Sequence, residues 1–103
     1  MLFKKKKIGQ KVSKKNFLIE LIEVFSKVEN PQEMKQLLKA ILTPEELDQI
    51  KKRWQIIKLL QYKYTQREVA KMLQISTAKV NRGSKEIKYG SGIFQKIFKR
   101  IYK

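Results

Sequence analysis

The 103-residue sequence contains no histidine and no cysteine. That removes a Cys/His zinc site, a thiol nucleophile, a disulfide framework and a histidine-centred general base together. Acidic residues are scarce: nine Asp and Glu stand against 25 Lys and Arg, a formal net charge of +16. Nine carboxylates scattered among lysines leave little material for a two-carboxylate hydrolase. The composition therefore predicts a protein that is not an enzyme and carries no metal. Long apolar runs are missing as well, so no segment is expected to span a membrane. Met1-Leu2-Phe3 followed by Lys4 to Lys7 has no apolar region behind it and does not read as a secretory signal. The expected compartment is the cytoplasm.

What is present points to a small globular domain. The apolar content of 42% is ordinary for a folded chain. A domain of this size buries only about two-thirds of the surface its unfolded chain exposes, so its core is marginal and its apolar stripes are easier to bury in an oligomer. The charge predicts a polyanionic partner.

Residues 1–12 read as a basic N-terminal arm, and residues 13–103 as a helical domain. From Lys14 to Val28, apolar residues Phe17, Leu18, Leu21, Ile22, Phe25 and Val28 recur at three- and four-residue steps, one helical face. Asn30-Pro31 with Glu33 reads as an N-cap, a first-turn proline and a capping-box partner for a second helix carrying Met34, Leu37, Leu38 and Ile41. Thr43-Pro44-Glu45-Glu46 repeats that grammar. The helix it opens places Leu47, Ile50, Trp54 and Ile57 on one stripe and runs to about Leu60. Thr65-Gln66-Arg67-Glu68 is a third capping box, opening a short helix with Val69, Ala70, Met72 and Leu73 as its buried side. Ser76 caps a helix to about Ile87, Tyr89 to Gly92 reads as a turn, and a last helix sets Ile93, Phe94, Ile97, Phe98 and Ile101 against Lys96, Lys99, Arg100 and Lys103. Nothing alternates with period two, so the expected fold class is all-α with six helices. Met34 and Met72 are assigned to the core.

The segment of about residues 66–87 is the informative one. Two helices joined by a break at Gln74-Ile75-Ser76 have helix-turn-helix spacing. Ala70 suits a close crossing, while Leu73, Ile75 and Val80 supply the contacts that set the angle. Gln74 departs from the pattern, because glycine is common where such a turn needs a left-handed backbone; a longer turn or a strained Gln would accommodate it.

The runs Leu42-Thr43-Pro44-Glu45-Glu46, Arg53, Thr65-Gln66-Arg67-Glu68 and Asn81-Arg82-Gly83-Ser84 resemble the Trp repressor family in order and spacing, over about Leu37 to Lys88. The resemblance implies a six-helix intertwined homodimer with two reading heads on a palindromic double-stranded DNA operator. It also implies L-tryptophan as corepressor. Indole would lie between Arg53 and Arg82, since a guanidinium can stack on an aromatic ring and pair with a carboxylate. Thr43 would help hold the ligand carboxylate, Leu42 would line the site by its backbone and Gly83 would leave room for the ring. Two positions depart from the tryptophan binders: Glu86 replaces a small hydroxyl residue near the ligand's amino group, and Lys79 replaces a threonine at the edge of the site.

For DNA, the resemblance points to Gln66 and Arg67 at the start of the first motif helix, and to Thr77, Ala78, Lys79 and Asn81 on the second. Ser76 and Ser84 complete that set. Helix starts capped by Thr65 and Ser76 can present N–H groups to phosphate. Ala78 and the Thr77 methyl suit thymine, and Asn81 can read adenine. Lys71 and Lys85 suit phosphate or solvent. The expected function is a sequence-specific transcriptional repressor of a tryptophan biosynthesis or transport operon. A related regulator with another effector or none, and a small basic RNA-binding protein, stand as alternatives. The arm reads either as a nonspecific phosphate binder or as a solubilising tail. The last helix reads as part of a dimer core or, less simply, as a cationic membrane-surface helix.

Overall fold

Side-chain hydrogen bonds write most helix starts in this chain: the computed structural model, which describes residues 14–102, forms six helices, four of them opened by such a cap. They are α1 (Lys14–Ser26), α2 (Pro31–Ile41), α3 (Pro44–Gln61), α4 (Gln66–Leu73), α5 (Thr77–Tyr89) and α6 (Ile93–Ile101). No strand occurs among the described residues, and none of their helices is long and apolar enough to cross a membrane. The basic arm expected over residues 1–12 lies outside the described residues. The chain divides into two compact units, one ending at Ile41 and one beginning at Leu42.

In the first unit, the Glu33 N–H donates to Asn30 Oδ1 at 2.9 Å, which caps α2. The expected box is modified: the Glu33 carboxylate accepts the N–H of Glu29 at 3.1 Å rather than that of the cap residue. Helix α1 stops at Ser26, two residues before Val28, and the Ser26 hydroxyl turns back to donate to the Ile22 carbonyl. Its apolar residues stay open to solvent, with Phe17, Leu18 and Ile22 each more than half exposed.

The second unit has a core. Ile56 of α3, Val69 and Ala70 of α4 and Val80 of α5 are buried together, with Leu59, Leu60, Leu73 and Ile75 packed around them. Ala70, Leu73, Ile75 and Val80 thus share one cluster. Met72, assigned to the core, is instead 51% exposed, because it follows Val69 by three residues on the outer flank of a helix too short to bury two faces. Ile50 also lies exposed, and Ile56, off the expected stripe, is buried beside Ile57. The reason is that α3 packs on two sides. Its Ile56 side meets α4 and α5, while Trp54 and Tyr62 meet α6 through Phe94 (ring centroids 6.3 Å apart) and Phe98 (5.3 Å, edge to face). Two rings of α6, expected in a dimer core, therefore pack within their own chain. Gly92, at φ +84, opens α6 where a side chain would be strained. The Gln95 amide donates to the Ile87 carbonyl at 2.9 Å, tying α6 to the last turns of α5. Helix α5 continues through Tyr89, which is helical rather than part of the turn.

Helices α3 and α4 end in the same way. The Tyr64 N–H reaches the Leu59 carbonyl and the Lys63 N–H the Leu60 carbonyl; after α4, Ile75 reaches Ala70 and Gln74 reaches Lys71. This is the Schellman pattern, whose left-handed residue is usually glycine. Here the two residues are Lys63 (φ 75) and Gln74 (φ 56). The strained-Gln alternative is therefore the one realised. A non-glycine residue in this region costs about 1–2 kcal/mol, partly offset because glycine gains more entropy on unfolding. Replacing Gln74 by Gly should raise stability by roughly 0.5 kcal/mol or more and the melting temperature by roughly 2–4 °C, read by thermal circular dichroism.

Candidate functional site

Two capping boxes fix where the second unit's helices begin. The Glu46 N–H donates to Thr43 Oγ1 at 3.1 Å, and the Thr43 N–H donates to the Glu46 carboxylate at 2.9 Å. Thr65 and Glu68 repeat the arrangement with the same distances at the start of α4. Each carboxylate is held below its ordinary value near 4.5, first by the cap backbone N–H it accepts and then by the threonine hydroxyl. Ser76 caps α5 by accepting the Lys79 N–H at 3.3 Å.

Helices α4 and α5, with the three-residue break between them, form the helix-turn-helix. On α5, Val80 is buried and Gly83 half-buried against α3, and the 3.6-residue period divides the rest into two faces. One face carries Asn81 and Lys85, both exposed, with Ala78 at its edge. The other carries Lys79, Arg82 and Glu86. Thr77 lies exposed in the first turn. Ser84 is half-buried, because the same period places it on the side of Val80. On α4, Arg67 and Lys71 are exposed and Gln66 is half-buried.

The Lys79–Arg82–Glu86 face closes against α3 to make an open groove of about 930 Å³. Arg53 faces it from α3, together with Glu45, Gln49 and Lys52, and Ile57 and Phe94 give it apolar walls. Of the residues assigned to a ligand, the structure brings together Arg53, Arg82, Gly83 and Glu86. Leu42 and Thr43 do not line the groove. Thr43 caps α3 ten residues before Arg53, roughly 15 Å away along the axis. Ala78 and Lys79, assigned to DNA, line the groove too. Asp48, on the groove's edge, bonds Lys52 at 3.0 Å, which lowers the Asp48 pKa; this is the one ion pair among the described residues. Arg53 and Arg82 thus face the groove without a carboxylate partner.

Gly83 has a role that its sequence position did not disclose. A Cβ there would stand 2.8 Å from Ile56 Cγ2, so glycine is what lets α5 lie close on α3.

A family model for the Trp repressor protein matches residues 16–102, from α1 to the end of α6. The chain belongs to the Trp repressor family. Comparison with curated proteins and with solved structures gave no match. Trp repressor family membership agrees with the observed all-α helix-turn-helix fold and makes the protein a DNA-binding transcriptional regulator. The acidic wall of Glu45, the reach of Lys52 and the Phe94 ring were missed from sequence. Spacing of 45, 49, 52, 53 and 56 along one helix face could have found the α3 residues. Phe94 depends on how α6 returns to α3, and no local pattern encodes that.

Two outcomes follow. Because the Ile56 methyl is on a branched carbon and cannot swing aside, Gly83→Ala should destabilise the fold by about 1–3 kcal/mol in urea unfolding, whether or not a ligand is added. Because the Glu46 and Glu68 pKa values are lowered on folding, their contribution is full above about pH 4.5 and is lost as pH falls through the lowered values. Denaturation midpoints should fall with pH below that point. A Glu46→Gln, Glu68→Gln variant, which keeps the acceptor oxygens, should show a flatter decline.

Proposed function

We propose that the protein is a homodimeric, sequence-specific repressor of a tryptophan biosynthesis or transport operon, acting in the cytoplasm with L-tryptophan as corepressor. The observation that carries this is the pair Arg53 and Arg82, unpartnered by any carboxylate, facing one groove from the two helices whose crossing sets the reading helix. Two planar guanidinium groups suit an aromatic ring bearing a carboxylate, and Ile57 and Phe94 suit its apolar body. Glu86 is positioned to pair with an ammonium group. Leu42 and Thr43 do not line the groove of their own chain, so in this reading a second subunit supplies them. The exposed apolar residues of α1 are the natural surface for that subunit.

An effector between α3 and α5 changes DNA affinity only by the difference in its affinity for the two tilts of the reading head. On the outer side, Gln66, Arg67, Lys71, Ser76, Thr77 and Lys85 are suited to phosphate, and Ala78 and Asn81 to base edges. A second reading has its own support: Glu86 and Lys79 already place both charges in the groove, which favours a different effector or none.

Calorimetry with L-tryptophan and footprinting with and without it separate these readings. The expected result is binding in the micromolar-to-millimolar range and a palindromic duplex footprint that strengthens about tenfold with ligand. No heat up to millimolar tryptophan removes the corepressor and leaves a constitutive DNA binder. Equal affinity for duplex DNA and structured RNA removes the sequence-specific repressor. Asn81→Ala should cost about 1–3 kcal/mol of operator affinity and relax specificity at one base pair.

A further inference from the structure

In the turn between α3 and α4, Tyr62-Lys63-Tyr64, packing accounts for Tyr62 but not for Lys63. Lys63 occupies a left-handed backbone position, φ 75, where glycine would be free of strain. Its side chain has no carboxylate partner, since the one ion pair among the described residues is elsewhere. Tyr62 and Tyr64 beside it are 51% and 41% exposed. The turn is nonetheless held firmly. The Tyr62 ring meets Phe98 edge to face at 5.3 Å and Tyr102 at 6.2 Å, and both backbone bonds of the Schellman pattern are made. The next residue, Thr65, caps α4, and Arg67 and Lys71 lie exposed along that helix. Glu68, the nearest acid in sequence, has its carboxylate engaged with the Thr65 N–H.

A strained backbone that carries an unpaired cation on a pinned turn is a feature to explain by contact rather than by stability. We propose that this turn is a further contact to the sugar–phosphate backbone of duplex DNA, with the Lys63 ammonium supplying the charge. It extends the positive edge of the reading head from Arg67 and Lys71 across the start of α4 to the end of α3. Lysine and tyrosine are both suited to phosphate oxygens, and such contacts set register without reading sequence. The inference rests on the DNA-binding reading above.

Because phosphate contact does not depend on sequence, the test uses a mixed-sequence duplex of about 20 base pairs and the full chain, with affinity measured by fluorescence anisotropy across a salt series. Lys63→Asn keeps a residue that tolerates the left-handed position, and Lys63→Gly relieves the strain altogether. Both should lower the slope of log affinity against log salt by about 0.9 and weaken binding several-fold at low salt. Lys63→Arg should keep the slope. Lys63→Gly should melt no lower than the parent, so its weaker binding cannot come from unfolding. Lys39→Asn, an equal loss of charge on α2, should leave the slope in place. An unchanged slope in the two Lys63 variants overturns the contact, and an equal drop in Lys39→Asn reduces it to net charge. If the parent chain shows no salt-dependent duplex binding, the DNA reading itself fails, a result distinct from either.

Discussion

The close crossing of α5 on α3 is the contact from which the rest of the second unit takes its geometry. Gly83 has no room for a methyl group above Ile56, and Ile56 is in turn packed with Val69, Ala70 and Val80. With the helices this near, Arg82 and Glu86 on one side of Gly83 stand over the same groove as Arg53. The opposite side of α5 stays free, with Asn81 and Lys85 exposed. A single helix thus presents one face to a ligand-sized groove and another to solvent. Any group that enters the groove bears on the crossing, and the crossing carries the outward face with it. In the function proposed above, this crossing is the lever through which an effector would act on DNA, with its pivot at a glycine.

The lever works only if α4 and α5 move as one piece, and the ends of α3 and α4 show how that is arranged. Both are closed by paired backbone bonds around a left-handed residue, and both starts that follow are capped, by Thr65 and Ser76. Buried backbone groups at the break are therefore satisfied locally and do not depend on a partner. The turn at Gln74 brings Ile75 back onto Ala70, which joins the two helices through the cluster rather than through a flexible link. Aromatic contacts with α6 brace the other turn from behind, at Tyr62.

Local chemistry was legible in the sequence and tertiary return was not. Threonine followed three residues later by glutamate is a hydrogen-bonding instruction that needs no distant residue, and both such boxes formed as written. The helix-turn-helix was legible in the same way, because Ala70, Leu73, Ile75 and Val80 are close in sequence and meet across one short turn. Asn30 and Glu33 show the limit: the pattern placed the cap but not which N–H the glutamate would reach. Met72 and Ile50 show another, since periodicity assigns a face without saying whether anything covers it. Arg53 and Arg82 were found because a resemblance named them. The groove they share with Lys79 and Phe94 is a property of three helices together. Gly83 was read as space for a ligand, whereas its nearest neighbour is a core methyl group.

The distribution of acids explains why so basic a chain can hold a folded reading head. Glu33, Glu46 and Glu68 are consumed at helix starts, where the positive end of the helix dipole welcomes them, and Asp48 is paired with Lys52. From Gln49 to the end of the sequence only two carboxylates occur, Glu68 and Glu86. The first is engaged in a cap and the second lines the groove. The outward faces of α4 and α5 are left with Arg67, Lys71 and Lys85, and the one acid beside them, Glu68, is turned to the cap of α4. Self-repulsion among these cations weakens the free protein and is relieved when phosphates neutralise them. The charge that repels itself in the free protein is thus the same charge that a duplex would satisfy. Net charge alone does not say where a duplex would sit. The placement of the acids does, because from Gln49 onward one is drawn to a cap and the other to the groove, which leaves the outward side of α5 to Asn81 and Lys85.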